Sequence, residues 1–316
     1  MRLRPDQAQA PSAVEPADDE PGWRLMDPGA AAPPARANAI LAFDPISRRL
    51  LLHGGRDGGG LSDLWSYDVD AGSWRELPSV GEPPAARWGH AGVIDPASGN
   101  LVIFPGQGAG RFFDDVWTYE TARGSWRSRT DEGAGSVPSA RYGLGYALTP
   151  DRQLMISHGL TSAGRFDDTW SLNLDLDASP WRDDTPSGIR PSARCLHGCV
   201  IDDASAQLIL FGGQNNSIPY LGDTWILSDG EWREVSSPGP SARRFPTLVA
   251  EGGQVWLFGG RTAQGASGEL WVLDLATQTW RQVDFPAGPS ARHSHAAALD
   301  PAGCAIYVAA GRDSNA

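Results

Sequence analysis

Apolar positions along this chain come in short runs, each ending in a turn built from glycine, proline or aspartate, and none is long enough to span a bilayer. Short strands follow from that pattern, and so does the absence of a membrane segment. The runs obey a longer rhythm, because one arrangement returns about every fifty residues, six times over. Each unit opens on an arginine: Arg36, Arg87, Arg141, Arg194, Arg243 and Arg292, usually behind a small residue and a nearby proline. A β-rich run then ends in a Gly-Gly-like turn at His53-Gly54-Gly55, Phe104-Pro105-Gly106, Ser157-His158-Gly159, Phe211-Gly212-Gly213, Phe258-Gly259-Gly260 and Ala309-Ala310-Gly311.

After a variable loop, an acid stands two residues before a tryptophan: Asp63/Trp65, Asp115/Trp117, Asp168/Trp170, Asp223/Trp225 and Glu269/Trp271. A second tryptophan closes each unit in a Trp-Arg pair, at Trp74, Trp126, Trp181, Trp232 and Trp280; the sixth pair, Trp23-Arg24, lies at the other end of the chain. Every unit reads as four short strands, a sheet that cannot bury both faces alone. Stacking such sheets radially buries the repeated tryptophans, worth roughly 150–250 Å² of apolar surface apiece, and leaves only short protected edges.

The Gly-Gly doublet, the spaced tryptophans and the Arg-x-x-His openings of units two, four and six together resemble kelch repeats, over about residues 21–316. The resemblance implies an all-β, six-bladed kelch-type β-propeller, preceded by a flexible acidic tail at residues 1–20. The sixth unit reaches only its second strand before the chain ends, so the N-terminal segment is expected to close that blade, Trp23-Arg24 supplying its outermost strand. Its third strand falls by register near Val14, where Pro11 and Pro16 argue against a regular interior strand. The expected closing blade is therefore irregular or one strand short.

Composition narrows the partners. All 26 basic residues are arginine, and 38 acids leave a formal charge of −12. A nucleic-acid ligand is excluded on this balance, since phosphate neutralisation dominates such affinity. Three cysteines, Cys195, Cys199 and Cys304, are too few for a disulfide framework. With no apolar signal core near Met1, the expectation is a cytoplasmic protein.

Kelch relatives commonly bind at one mouth of the channel, through the residue after the opening arginine and the residue after the doublet. Carried onto this sequence, the first set is Ala37, Trp88, Tyr142, Cys195, Arg244 and His293; the second is Arg56, Gln107, Leu160, Gln214, Arg261 and Arg312. Planar bidentate guanidinium groups suit carboxylate, phosphate or sulfate. The expected ligand is a small anionic molecule or an acidic peptide, with Arg56, Trp88, Gln107, Tyr142, Gln214, Arg244, Arg261, His293 and Arg312 as its contacts. The alternative is a cofactor-independent isomerase, lyase or cyclase in the same pocket, with His293 as acid/base, Cys195 and Tyr142 as further catalytic candidates, and no metal or cofactor.

Other constellations read as structural. His90, His197 and His295 recur at one repeat position, which suggests a three-histidine metal site but suits packing between blades better. Cys195-x-His197-x-Cys199 puts ligand types on one strand face without the convergence zinc needs. Asp114-Asp115 and Asp167-Asp168 resemble paired catalytic carboxylates, yet the repeat already accounts for Asp115 and Asp168. Opening arginines are best read as ties between strands or blades, and His53 and His158 as substitutions inside packed turns.

Overall fold

The computed structural model describes residues 22–26, 29, 31–129, 137–175 and 180–313. The chain folds as an all-β propeller. Its first blade is an antiparallel meander of Ile40–Asp44, Arg49–His53, Leu64–Asp68 and Ser73–Glu76, with the two middle strands separated by a ribbon at the Gly-rich loop. Four further four-stranded sheets repeat this order over residues 91–128, 145–183, 198–235 and 247–283.

A six-bladed ring was expected, its closing blade irregular or one strand short, and the described residues form five four-stranded blades. In the sixth place stands a two-stranded sheet, Ala296–Asp300 paired with Ala305–Ala309. The register position near Val14 lies outside the described residues, and residues 22–26 belong to no strand, so Trp23-Arg24 does not form the expected outermost strand. The ring still closes, because Ala296–Asp300 touches both Thr247–Glu251 of blade 5 and Ile40–Asp44 of blade 1. Trp23 also packs here, 5.1 Å from the Phe258 ring.

The opening arginines explain why each repeat starts as it does. The guanidinium groups of Arg36, Arg87, Arg141 and Arg194 are at most 4% exposed and hold Asp63, Asp115, Asp168 and Asp223 bidentately at 2.6–2.9 Å. Each also donates to the carbonyl of its doublet turn, as in Arg87 to Pro105 at 2.9 Å. The same carboxylates accept the indole N–H of the tryptophan two residues on, at 2.6–2.8 Å. Blade 5 repeats the motif with Arg243, Glu269 and Trp271. One acid thus ties the first strand, the doublet and the third strand of its own blade. Burial opposes ionisation of these carboxylates, but their arginine and indole hydrogen bonds win and hold them below the usual carboxylate range.

The doublets need glycine where the backbone doubles back. Gly54 and Gly55 have φ of +64° and +94°, and a Cβ on Gly54 would lie 2.7 Å from the Arg87 carbonyl of the next repeat. Between sheets, the Trp-Arg tryptophans pack onto the preceding blade: Trp126 against His53, Trp181 against Phe104 and Trp280 against Phe211. At the opposite end of the channel, Asp44, Asp95, Asp202 and Asp300 cap the turns that follow the first strands. Three of them reach the next repeat as well, Asp95 to Arg152, Asp202 to the Gly253 amide and Asp300 to Arg48.

Candidate functional site

Six backbone bridges build the mouth, one per repeat: Ala37 with Arg56, Trp88 with Gln107, Tyr142 with Leu160, Cys195 with Gln214, Arg244 with Arg261, and His293 with Arg312. The two sets of sequence-selected positions are therefore partners, pairwise, around the axis. Just inside them, Asn38, Gly89, Gly143, Leu196, Phe245 and Ser294 all take φ between +56° and +62°. Their amides and carbonyls form a chain of hydrogen bonds of 2.7–3.0 Å running Phe245 to Leu196 to Gly143 to Gly89 to Asn38 to Ser294. This backbone ring went unrecognised in the sequence, because four of its six members are not glycine and only their common position, two residues after each opening arginine, marks them.

The mouth has two unlike sides. Repeats 1 to 3 supply Arg56, Trp88, Gln107, Tyr142 and Leu160, with the Arg56 guanidinium stacked 5.5 Å from the Trp88 ring. Repeats 4 to 6 supply Gln214, Arg244, Arg261, His293 and Arg312. Arg244 donates to Gln214 Oε1 at 2.5 Å and lies over the rings of Tyr220 and Phe245, at 5.3 and 5.9 Å, while its buried Nε has no hydrogen-bond partner among the described residues. Among the described residues, Arg56, Arg244, Arg261 and Arg312 form no ion pair with a carboxylate. The opening arginines of the first five repeats, by contrast, each hold a carboxylate.

His293 is held below the ordinary histidine range by burial and by the neighbouring charges of Arg261, Arg244 and Arg312. Its Nδ1 lies 3.0 Å from Ser294 Oγ, and its ring packs 5.9 Å from Phe245. Burial pushes the Tyr142 phenol up to about 12, so near neutrality it is a hydroxyl donor and not a base. Cys195 is fully buried, and its sulfur takes a 3.6 Å contact from Gln214 Nε2. Cys195 and His293 share no hydrogen bond, and Arg244 of the intervening repeat lies between them around the ring.

The remaining candidates are absorbed into packing. His90 Nε2 meets His53 Nδ1 at 3.0 Å and His295 Nε2 meets Thr247 Oγ1 at 2.8 Å, while the His197 ring stands edge-on to His158 at 5.4 Å. No three His, Cys, Asp or Glu side chains are grouped to hold a metal among the described residues. Burial raises the Cys199 thiol to about 12, far from a thiolate ligand. Asp167 pairs with Arg190 at 2.9 Å, and Asp114 is exposed.

A family model described as the KLHDC2/KLHL20/DRC7 Kelch-repeats domain matches residues 18–178 and again 173–316. This chain belongs to the kelch-repeat family. Serine/threonine-protein phosphatase BSL2 of Arabidopsis thaliana is 30% identical to this kelch protein over 236 residues, covering 70% of it and 22% of the phosphatase. Adagio-like protein 1 of Oryza sativa subsp. japonica is 28% identical over 298 residues, covering 84% and 46% respectively. An F-box/kelch-repeat protein of Arabidopsis thaliana is 25% identical, covering 88% and 66%. The kelch chain thus spans less than half of the first two relatives. No helix long and apolar enough to cross a membrane occurs among its described residues.

Proposed function

We propose that this kelch propeller is an interaction module whose channel mouth receives an acidic segment of a partner protein, the same groups also accepting a small anionic ligand. The reading includes a sixfold ring, in which the two-stranded sheet and Trp23 together serve as the sixth blade. One observation carries it: Arg56, Arg244, Arg261 and Arg312 stand at the mouth, from three repeats, with no ion pair to a carboxylate among the described residues, in a protein with 38 acids to choose from. Guanidinium groups already packed on aromatic rings lose little freedom when they bind, so a carboxylate gains charge-assisted hydrogen bonds at small entropic cost. Trp88 and Tyr142 on the opposite side offer rings for an apolar side chain beside the acid.

The curated relatives support a module reading, since in each of them the matched part is a fraction of a longer protein. The test is a titration of a fluorescein-labelled Asp/Glu-rich peptide, followed by anisotropy, against its Asn/Gln counterpart. Wild type should prefer the acidic peptide, and Arg244→Ala with Arg261→Ala should weaken it at least tenfold. Equal binding of the two peptides would overturn the reading.

A further inference from the structure

Every complete blade sets its third-strand tryptophan opposite one residue of the second strand: Trp65 opposite Leu52, Trp117 opposite Ile103, Trp170 opposite Ile156, Trp225 opposite Leu210 and Trp271 opposite Leu257. Those five partners are at most 2% exposed. Counted back from the doublet, the same position in the two-stranded sheet is Val308, which is only half-buried, like the rest of Ala305–Ala309. The strand pairs on one side with Ala296–Asp300, and no described residue pairs with its other edge. Folded proteins guard such edges with charge or proline. Ala305-Ile306-Tyr307-Val308-Ala309 has neither.

The same repeat lacks its acid. Arg292 is oriented as the other opening arginines are, its Nε donating to the Ser290 carbonyl and its Nη1 to the Ala310 carbonyl, each at 3.1 Å, where Arg87 uses Ala85 and Pro105 at 3.0 and 2.9 Å. Arg87 then closes on Asp115, whereas the Nη2 of Arg292 reaches Ser290 Oγ at 3.0 Å and no carboxylate among the described residues. Asp313 is near enough for its charge to favour the cation, but forms no ion pair with it. Trp23 keeps the packing of a fourth-strand tryptophan on Phe258, so the place of a third strand lies between that ring and Ala305–Ala309.

We propose that the outer edge of Ala305–Ala309 takes, by antiparallel β-pairing, a strand of a partner protein that carries an acid two residues before an aromatic ring, the acid binding Arg292 and the ring covering Val308. The complete blades define this ligand, since Asp-Leu-Trp, Asp-Val-Trp, Asp-Thr-Trp, Asp-Thr-Trp and Glu-Leu-Trp enter their third strands. Residues 1–21 hold no aromatic side chain, so they do not carry the pattern and a partner strand does. Main-chain hydrogen bonds along the edge supply affinity, while the ring and the acid supply selectivity. Beside a guanidinium already fixed by two carbonyls, a carboxylate gains a charge-assisted hydrogen bond at small entropic cost. The site uses none of the mouth arginines and stands independently of the reading above.

The probe is a fluorescein-labelled octapeptide with the sequence of residues 268–275, titrated into the full chain by anisotropy beside the same peptide with Gln for Glu at its second position. The Glu peptide should bind about tenfold more tightly. Arg292→Met should abolish that difference, and Arg244→Ala with Arg261→Ala should leave it unchanged. Hydrogen exchange should find the outer-edge amides of residues 305–309 open in the protein alone and protected with the peptide. Four outcomes overturn the proposal: no saturable binding, equal binding of the two peptides, a preference that follows the mouth arginines instead of Arg292, or outer-edge amides already protected without peptide, which would assign the place to residues 1–21 or to a second copy of the chain. The two-peptide comparison uses the wild type, so it decides even if Arg292→Met does not fold.

Discussion

Trp23 lies against Phe258 with ring centroids 5.1 Å apart, and this is the contact that Trp181 makes with Phe104 at 4.7 Å and Trp280 with Phe211 at 5.7 Å in the complete blades. The linker before it agrees, since Gly288 approaches Trp23 Cδ1 as Gly239 approaches Trp280 Cδ1. A tryptophan from one end of the chain therefore occupies the outer packing site of the repeat at the other end, although no strand carries it.

Removing that ring should destabilise the protein. Complete loss of a buried tryptophan costs ~3–5 kcal/mol, and the half-buried Trp23 should cost about 2 kcal/mol as Trp23→Ala. Urea unfolding measures it, with Trp280→Ala as the reference for a complete blade. A Trp23→Ala protein as stable as wild type would show that residues 22–26 add nothing to closure.

The acid at each third strand should matter more than its exposure suggests. Asp115→Asn leaves Arg87, 0% exposed, without its countercharge, and breaking a buried pair on one side costs ~3–5 kcal/mol. The sixth opening arginine supplies the contrast: Arg292 is only half-buried and bonds Ser290 and Ala310, with no carboxylate hydrogen bond among the described residues. Arg292→Met should therefore be much milder than Arg87→Met in the same unfolding measurement.

Much of this was legible in the sequence because repetition multiplies a weak signal. A single Gly-Gly doublet says little, but Arg87, Asp115 and Trp117 recur at matching spacing in four other repeats, bidentate in the first four and through one guanidinium nitrogen in the fifth. The mouth positions were legible for the same reason, since every one sits at a fixed offset from an arginine or a doublet. What stayed hidden depends on backbone and on neighbours. Leu196 and Phe245 give no hint of positive φ, and Asp202 looks like a surface acid until the Gly253 amide of the next repeat is brought beside it. The His197 ring nitrogens have no hydrogen-bond partner among the described residues, because Gly145, which faces them from the preceding blade and lies 52 residues away in the chain, offers no side chain.

Acid should unfold the protein earlier than its carboxylates alone require. Burial lowers His53 and His295 to about 3 and His158 to about 4, and puts His90 and His197 well below their ordinary value. Folding therefore favours the neutral imidazole. That stabilisation is complete above the unfolded value of about 6.5 and is lost as pH falls from there toward 3–4, at up to ~1.4 kcal/mol per pH unit for each histidine. Stability measured by urea should be flat from pH 8 to 7 and fall steeply below about 6.5. His158→Gly, which supplies the residue found at that turn in three other repeats, should make the fall shallower.

The sixth doublet offers a stabilising change. Ala310 holds φ of +61° where Gly54, Gly212 and Gly259 stand in other repeats at +64° to +69°. A left-handed conformation costs a non-glycine residue ~1–2 kcal/mol, part of which glycine returns through its more flexible unfolded state. Ala310→Gly should raise the unfolding free energy by about 0.5–1 kcal/mol. A loss of stability would mean that the Ala310 methyl packs usefully in this shortened repeat.

Ligand binding at the mouth should show the two-sided character of its walls through salt. The arginine side acts over a screening length of ~10 Å at 0.1 M salt and ~3 Å at 1 M. The partly buried Arg244, fixed on Gln214 and two rings, should be screened less than the exposed Arg56 and Arg261. Raising salt from 0.1 to 1 M should therefore weaken an acidic peptide for wild type and for Arg244→Ala, but should have a smaller relative effect on the Arg56→Ala/Arg261→Ala double variant, whose remaining arginines, Arg244 and Arg312, are both partly buried. Trp88→Ala should lower affinity by a factor that hardly changes with salt, because the loss is of apolar contact. A Trp88→Ala effect that vanishes at 1 M would instead assign that ring to holding Arg56 in place, through the stacking at 5.5 Å, rather than to touching the ligand.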